Sequence, residues 1–272
     1  MKLIFLDIDG TLTVPGENTP PESAVEAINK TRFKGNKVFL CTGRNPDMLC
    51  PLLKYDFDGY IACAGGYVKV GEELLFDCPM TSEQLDTALD TLHRNGVFCT
   101  IEGERGSWGD DNLKDFLKTQ NEGNSEIERW RKALSSNLGI RPMGEYDNSP
   151  IYKVVIMCTD RNMLDEAKAA LGSEFNFVVQ DVKEHNCING ELVNKKFDKG
   201  KGVELIRNKL GISKADTIGF GDSMNDLEMI ETVGFGVCME NGAEALKQRA
   251  DMVCPAVSED GLKKAFIELG LL

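Results

Sequence analysis

Three short polar segments of the chain carry the residues that could do chemistry. They read DIDGT at 7–11, TGR at 42–44 and GDSMND at 221–226, and each directly follows an apolar, strand-like run. Charged groups are costly to bury without a partner, so polar residues at the end of a buried strand need a reason. A shared functional site is one such reason.

Asp7 and Asp9 would point to the same side of an extended strand, because residues two apart share a face. Two carboxylates that close repel each other unless a cation lies between them or one is protonated. Mg²⁺ prefers carboxylate and carbonyl oxygens, and Asp222 with Asp226 could supply more of them. Taken singly, each aspartate is equally well explained as the cap of a helix or turn. Taken together, the set favours a metal site.

Two further features suit an anion. The hydroxyl of Thr42, the amide of Gly43 and the N-terminus of a helix that begins at Pro46 could bind a phosphate, although an ordinary loop can have this sequence. Lys199 lies near the start of a helical segment. A lysine there is usually a solvated surface charge, and it gains a role only if the site needs a fixed cation.

Strand-like runs near both ends of the chain would position these residues. They lie at 2–6, 37–41, 217–220 and 236–238 and alternate with helical patterns, which is typical of a parallel sheet covered on both faces. Ligands of open parallel sheets bind beyond the carboxyl ends of the strands. The three separated segments therefore point to one site.

The middle of the chain has a different pattern. Thr81 and Gln84 form a capping box for an amphipathic helix, and strand-like VFCTIE, polar helical segments and strand-like IYKVVIMC follow. A helix over 164–171 and the strand-like runs FNFVVQ and CINGELV complete this part. We predict an α/β fold: a Rossmann-like parallel-sheet core, residues 1–81 and 193–272, with an inserted α+β cap domain, residues 82–192.

Composition restricts the partners. The 31 basic and 44 acidic residues give a net charge of −13, which argues against nucleic acid or an anionic membrane and favours a small or ionic partner. The nine cysteines lack metal or redox spacing and suit reduced thiols in a cytoplasmic protein. No apolar run approaches the length of a membrane span. We expect a monomer rather than an oligomer.

Rival motifs are not found in the sequence. Gly200-Lys201 is followed by glycine, so the phosphate loop of nucleotide-binding proteins is missing, and the Gly-x-Gly occurrences lack the third glycine of the dinucleotide fingerprint. His93 and His185 are the only histidines, and neither lies in a recognisable nucleophile or metal-ligand pattern.

DIDGT, Thr42 with Gly43, Lys199 and GDSMND resemble, in order, the four motifs of the haloacid dehalogenase superfamily of phosphatases. The insertion resembles the type IIB cap of its Cof-like sugar-phosphatase branch, and the likeness covers essentially the whole chain. One departure is Ala64-Gly65-Gly66, where members often carry Asn-Gly-Ala. This departure removes an Asn side chain that could contact substrate and leaves the chemistry unaffected.

The resemblance implies a role for each motif residue. Asp7 would be the nucleophile that forms an aspartyl phosphate, and Asp9 would be the general acid and base. Mg²⁺ would be held by an Asp7 oxygen, the Asp9 carbonyl and Asp222. The transferring phosphoryl oxygens would be bound by Thr42, Gly43, Lys199 and Asn225.

The other motif residues would support the site. Gly10 would allow a close turn, Thr11 would steady the loop and Asp226 would hold the loop that carries the metal ligand. Arg44 is a candidate for substrate contact. The predicted activity is hydrolysis of a small phosphomonoester. The alternatives are a phosphomutase or phosphotransferase of the same fold and a metabolite-binding regulator, although the regulator would usually have lost one of the three key aspartates.

Overall fold

The computed structural model describes residues 1–113, 139–182 and 187–272. The polar helical segments predicted after VFCTIE fall largely outside the described residues, and so does His185. Two compact units are formed. The first comprises Met1–Arg44, Leu49–Asp77 and Phe197–Leu272, and the second comprises Asn45–Met48 and Cys78–Lys196.

Fourteen strands and eight α-helices are formed by the residues that the structure describes. The strands are β1 Leu3–Leu6, β2 Lys37–Cys41, β3 Gly59–Ala62, β4 Tyr67–Val70, β5 Glu73–Asp77, β6 Phe98–Gly103, β7 Gly106–Gly109, β8 Ile140–Pro142, β9 Ile151–Cys158, β10 Phe175–Val182, β11 Cys187–Asn194, β12 Thr217–Gly221, β13 Phe235–Met239 and β14 Met252–Cys254. The helices are α1 Glu22–Phe33, α2 Pro46–Leu49, α3 Ser82–Arg94, α4 Asp165–Leu171, α5 Lys199–Leu210, α6 Leu227–Thr232, α7 Glu244–Lys247 and α8 Gly261–Glu268.

The first unit contains an eight-stranded sheet in the order β14-β13-β12-β1-β2-β3-β4-β5. The pairs from β14 to β3 are parallel, whereas β3-β4 and β4-β5 are antiparallel hairpin pairs. Helices connect the parallel strands, as parallel pairing requires. The predicted α/β class and the Rossmann-like sheet are confirmed.

Helices cover both faces of this sheet. One face packs Phe5 and Phe39 against α5 and α6, and the two rings stack with centroids 5.3 Å apart. On the other face α1 packs against α8, and the Phe266 ring of α8 contacts Phe220 of β12 at 5.4 Å. Because β1 is buried on both faces, all four of its residues are apolar.

The register of the central strands explains why the polar segments converge. Leu6, the last residue of β1, lies opposite Phe220 of β12 and opposite Leu40 of β2. The next residues of all three strands therefore emerge at the same edge of the sheet. This edge is where the segments at 7–11, 42–44 and 221–226 begin.

The second unit contains a six-stranded sheet in the order β10-β11-β9-β6-β7-β8. All its pairs are antiparallel except β7 with β8. Helices α3 and α4 pack on one face, where Leu92 of α3 and Leu171 of α4 enter a cluster of buried apolar residues. The predicted capping box is present, since Thr81 and Gln84 exchange hydrogen bonds at the start of α3.

Two further features of the described residues concern membrane-spanning helices and the state of the cysteines. No described helix combines the length and the apolar character needed to cross a membrane. None of the nine cysteines, all of which lie among the described residues, forms a disulfide; most of them are buried, whereas Cys50 is exposed. Burial raises the pKa of the Cys238 thiol to about 11, which keeps such thiols protonated and unreactive at neutral pH.

Candidate active site

Asp7 is the first residue beyond β1 and is only 5% exposed. Its amide donates to the Phe220 carbonyl at 2.9 Å, so the strand-like path continues by one residue and aims the carboxylate away from solvent. Burial, followed by the nearby charge of Asp226, raises the Asp7 pKa well above its usual range. A neighbouring cation is needed if this carboxylate is to be ionised at neutral pH.

Lys199 supplies that cation. Its ammonium, which is fully buried, donates to Asp7 Oδ1 at 2.7 Å, to Asp226 Oδ1 at 2.6 Å and to Asn225 Oδ1 at 3.1 Å. Burial opposes the charge, but Asp226 and Asp7 outweigh it and raise the Lys199 pKa. Lys199 is the first residue of α5, where the helix dipole disfavours a positive charge. Its position is therefore explained by the carboxylates and not by the helix.

Asp222 and Asp226 have different surroundings although they lie on the same loop. Asp226 is fully buried, and its Oδ2 accepts from the amides of Asp222 at 3.0 Å and Ser223 at 3.1 Å, while Oδ1 accepts from Lys199. Asp222 Oδ1 is buried and has no hydrogen-bond partner among the described residues. Asp226 is thus fully engaged in holding the loop, whereas Asp222 has an oxygen available for a ligand.

The carboxylates form a group that suits a hard cation. Asp7, Asp222 and Asp226 each offer an oxygen, and these oxygens all lie within 4.8 Å of one another. Burial and then Asp226 raise the Asp222 pKa to about 7. Three carboxylates beside one ammonium leave a surplus of negative charge when all are ionised. An all-oxygen donor set with an unpartnered buried oxygen fits Mg²⁺.

Gly10 explains how the first loop approaches the third. Its φ of +89° lies in the left-handed region, and a Cβ at this position would lie only 2.3 Å from Asp222 Oδ2. A side chain here would strain the backbone and occupy the space beside Asp222. Thr11 is buried, and its amide donates to the Ile8 carbonyl at 3.3 Å, which is consistent with a role in the turn.

The second segment is also anchored at the carboxyl edge of the sheet. The Thr42 amide donates to the Ile61 carbonyl at 2.8 Å, and the Thr42 hydroxyl accepts from the Arg44 amide at 3.1 Å. Thr42 is 2% exposed, and Gly43 beside it is half-buried. Ala64 donates to the Thr42 carbonyl and has φ 55°, a left-handed conformation that Asn tolerates better than Ala.

Arg44 lies beside Asp9. Its Nε donates to Asp9 Oδ2 at 2.8 Å and its Nη2 to Asp9 Oδ1 at 2.7 Å, so the pair is bidentate. The sequence suggested Arg44 for substrate contact, whereas in the structure its guanidinium is occupied by the carboxylate.

Sequence reasoning missed a supporting residue, Asn241. Its Nδ2 donates to the Gly10 carbonyl at 2.9 Å, and its Oδ1 accepts from the Val257 amide at 3.2 Å. Asn241 follows β13, another parallel strand of the same sheet. Polar residues that follow the carboxyl end of a parallel strand are candidates for the site, and the same rule applied to β13 would have indicated Asn241.

Two charged clusters stand out among the described residues of the second unit. Asp110 Oδ2 accepts from the Cys99 amide at 2.7 Å and lies 3.1 Å from His93 Nε2, which ties the end of α3 to β6. This contact gives His93 a structural role. In the other cluster Lys153 is almost fully buried between Glu102 at 3.0 Å and Glu191 at 2.9 Å.

Comparison with known proteins identifies the family. The profile of the haloacid dehalogenase-like hydrolases matches residues 4–266. A Haemophilus influenzae protein whose name classes it as a phosphatase is 40% identical over 264 residues, covering 96% of this chain and 95% of its own. The 5-amino-6-(5-phospho-D-ribitylamino)uracil phosphatase YwtE of Bacillus subtilis is 27% identical over 284 residues, covering 96% of each chain.

A solved structure agrees with these matches. The subclass IIB sugar phosphatase BT4131 is similar over 100% of both chains, with a TM-score of 0.76 and 26% identity. These relatives are named as phosphatases, in agreement with the predicted enzyme class, a phosphoric monoester hydrolase. The four motifs, the sheet that brings them together and the match across nearly the whole chain agree: the protein belongs to the haloacid dehalogenase-like hydrolases, on their Cof-like, type IIB branch.

Proposed function

We propose that the protein is a Mg²⁺-dependent phosphatase that hydrolyses a small phosphomonoester through an aspartyl-phosphate intermediate. One observation carries the proposal. The Lys199 ammonium binds Asp7 and Asp226 in a buried network that keeps a surplus of carboxylate beside an unpartnered Asp222 oxygen. Such a site can accept a divalent cation and a phosphoryl group together.

The chemistry uses the two aspartates in succession. The Asp7 carboxylate attacks phosphorus, the bond from phosphorus to the ester oxygen breaks, and Asp9 gives its proton to the leaving oxygen. Asp9 then takes a proton from water, which attacks the aspartyl phosphate, releases inorganic phosphate and restores Asp7. The hydrogen bond from Lys199 to Asp7 Oδ1 supports this by orienting the carboxylate and favouring its ionised form.

The remaining motif residues bind charge. Thr42, Gly43, Lys199 and Asn225 would bind the phosphoryl oxygens, whose charge is spread in the loose transition state. Asp7, the Asp9 carbonyl and Asp222 would hold Mg²⁺, and Asp226 would keep the Asp222 loop in place through its two amide contacts. When bound, Mg²⁺ would neutralise charge on the transferring group.

The relatives indicate which substrates to test first. One acts on a phosphorylated ribityl compound and another is a sugar phosphatase, as their names state. We infer a polyhydroxylated phosphomonoester, such as a sugar phosphate, and we assign its selection to the inserted domain predicted over 82–192.

The proposal is tested by comparing phosphate release by the wild-type protein and by the Asp7→Asn variant. Wild-type protein with Mg²⁺ should release phosphate from members of a panel of sugar, polyol and nucleotide phosphates, and a chelator should stop it. Asp7→Asn should lower kcat by at least about 10⁴-fold, because the amide cannot form the acyl phosphate. Asp216→Asn, which removes an exposed carboxylate paired with Lys2, is the matched control and should keep full activity.

Three outcomes would contradict the proposal. Activity retained by Asp7→Asn would remove Asp7 from its role, and no phosphate release from any panel member would reject hydrolysis. Transfer of the phosphoryl group to an added sugar, faster than to water, would instead identify a phosphotransferase.

A further inference from the structure

The carboxylate of Asp9 is held on two sides. Arg44 binds both of its oxygens, at 2.7 and 2.8 Å, and the Gly16 amide donates to Oδ1 at 3.1 Å. The Arg44 side chain is only 9% exposed and that of Asp9 is 29% exposed, so bulk water screens the pair weakly. A bidentate pair of this kind fixes the orientation of the carboxylate plane as well as its position.

Arg44 is itself fixed at both ends. Its backbone amide donates to the Thr42 hydroxyl at 3.1 Å, and its carbonyl accepts from the Cys63 amide at 2.9 Å. Its guanidinium donates to Asn18 Oδ1 at 2.5 Å and to the Glu17 carbonyl at 3.2 Å. The side chain therefore has little freedom to leave Asp9.

These contacts bring the loop at residues 14–18 against Asp9. Gly16 has φ +80°, which lets the chain turn so that its amide faces the carboxylate. Glu17 and Asn18 follow and accept from the same guanidinium that binds Asp9. The loop at 14–18, Arg44 and Asp9 thus form one connected hydrogen-bond network within the first unit.

An ordered carboxyl group matters for proton transfer because its protonated oxygen must lie within hydrogen-bond reach of the leaving oxygen. A free aspartate samples several rotamers, and most of them would aim the proton elsewhere. The planar guanidinium restricts those rotamers by binding both oxygens, which a lysine ammonium cannot do in the same geometry.

We propose that Arg44 is a positioning residue for Asp9: it fixes the plane of the carboxyl group, so that in the acid step one oxygen carries the proton for the leaving oxygen while the other still accepts from Arg44, and it does not contact the substrate. This inference rests on the proposed function, since it assumes that Asp9 transfers a proton to an ester oxygen. It changes the role suggested for Arg44 by the sequence.

The role makes a prediction that a substrate contact would not make. A poor leaving group needs protonation, whereas a good one departs as an anion without it. Phenyl phosphate and p-nitrophenyl phosphate have similar size and shape and differ mainly in the basicity of the leaving oxygen. Loss of Arg44 should therefore harm hydrolysis of phenyl phosphate much more than hydrolysis of p-nitrophenyl phosphate.

The experiment compares kcat/KM of both esters for wild type, Arg44→Met, Arg44→Lys and Asp9→Asn. Arg44→Met should lower the phenyl phosphate value about 100-fold and the p-nitrophenyl phosphate value less than about tenfold, the range typical of general acid catalysis. Asp9→Asn should show the same asymmetry, and adding Arg44→Met to it should cost little more. Arg44→Lys should retain part of the activity with the same asymmetry.

Controls separate this role from general damage. Arg32→Met removes another arginine from a pair with an aspartate, Asp58 at 3.0 Å in the same unit, and should change neither ester. Inhibition by inorganic phosphate should be unchanged in Arg44→Met, because the phosphoryl-binding residues are intact. Circular dichroism checks the fold, and Arg44→Lys keeps the test available if Arg44→Met does not fold.

The outcomes distinguish the two proposals. Equal loss on both esters, or a rise in KM with kcat unchanged, would overturn the role of Arg44 while hydrolysis stands. Failure of the wild-type protein to hydrolyse either ester would overturn the proposed function and the role of Arg44 with it.

Discussion

Two buried lysines, one in each unit, show how similar ion networks can serve different ends. Lys199 lies between Asp7 and Asp226 in the first unit, and Lys153 lies between Glu102 and Glu191 in the second. In both, burial opposes the lysine charge and the carboxylates outweigh it, so the lysine pKa is raised.

The difference lies in the carboxylates. Around Lys199 a third carboxylate, Asp222, has a buried oxygen without a partner, and its pKa is raised to about 7. Around Lys153 one of the two partners, the Glu191 side chain, is 40% exposed, so water solvates its negative charge. The first network is left with charge that a ligand can neutralise, whereas the second is complete as it stands.

The largest expected effect separates the two networks directly. Lys199→Met should lower kcat/KM by at least about 10³-fold, because in the proposed reaction it removes the cation that binds the transferring phosphoryl group. It should also destabilise the fold by about 3 kcal/mol, since Asp226 loses its buried cationic partner. Activity within tenfold of wild type would show that Lys199 is only structural.

A second test uses pH to probe the surplus charge around Asp222. A carboxyl with a raised pKa must lose its proton before it binds a metal, so apparent Mg²⁺ affinity should fall about tenfold from about pH 7.5 to about pH 5.5. Isothermal titration calorimetry at each pH measures this affinity. Asp222→Asn should weaken binding and flatten this dependence, and an unchanged slope in that variant would assign the titration to another group.

The stability of the metal-free protein should change in the opposite sense. The folded-state pKa of Asp222 is raised above the unfolded value, so its contribution to stability is present at low pH and is lost as pH rises through about 7. We expect about 2 kcal/mol less stability at about pH 7.5 than at about pH 5.5, measured by denaturant unfolding with chelator present. The raised Lys153 pKa contributes nothing in this window.

The smallest expected effect on catalysis is that of Lys153→Met, the matched control for Lys199→Met. It leaves Glu102 without its buried partner, so the fold should lose about 3 kcal/mol, similar to the loss for Lys199→Met. The kcat value should stay within about threefold of wild type, because Lys153 takes no part in the chemistry. A collapse of kcat in the folded variant would contradict the contrast between the two networks.

Much of the candidate site followed from the sequence because strand order and side-chain chemistry are encoded locally. Apolar runs predict buried parallel strands, and polar residues at their carboxyl ends must then share one edge. That reasoning indicates Asp7, Thr42 and Asp222, and the observed register brings their segments to the same edge. The separate roles of Asp7 and Asp9 follow only from the resemblance to a family.

Pairings between distant side chains could not be predicted in the same way. Nothing in the TGR segment indicates that Arg44 binds Asp9 rather than a substrate, and Asn241 has no local mark of its contact with Gly10. Such contacts depend on loop paths and rotamers that hydrophobic periodicity does not encode. Without the resemblance to a family, residue type alone does not distinguish Asp222 from Asp226 either.

The sequence by itself determined the fold class, the family and the residues that meet at the carboxyl edge, because these depend on the order and spacing of residue types. The tertiary structure decided which oxygen is left without a partner and which cation each carboxylate receives. The physical reason is that charge and hydrogen bonding act through space over a few ångströms. Which groups come that close is settled only when strands, loops and rotamers are all in place.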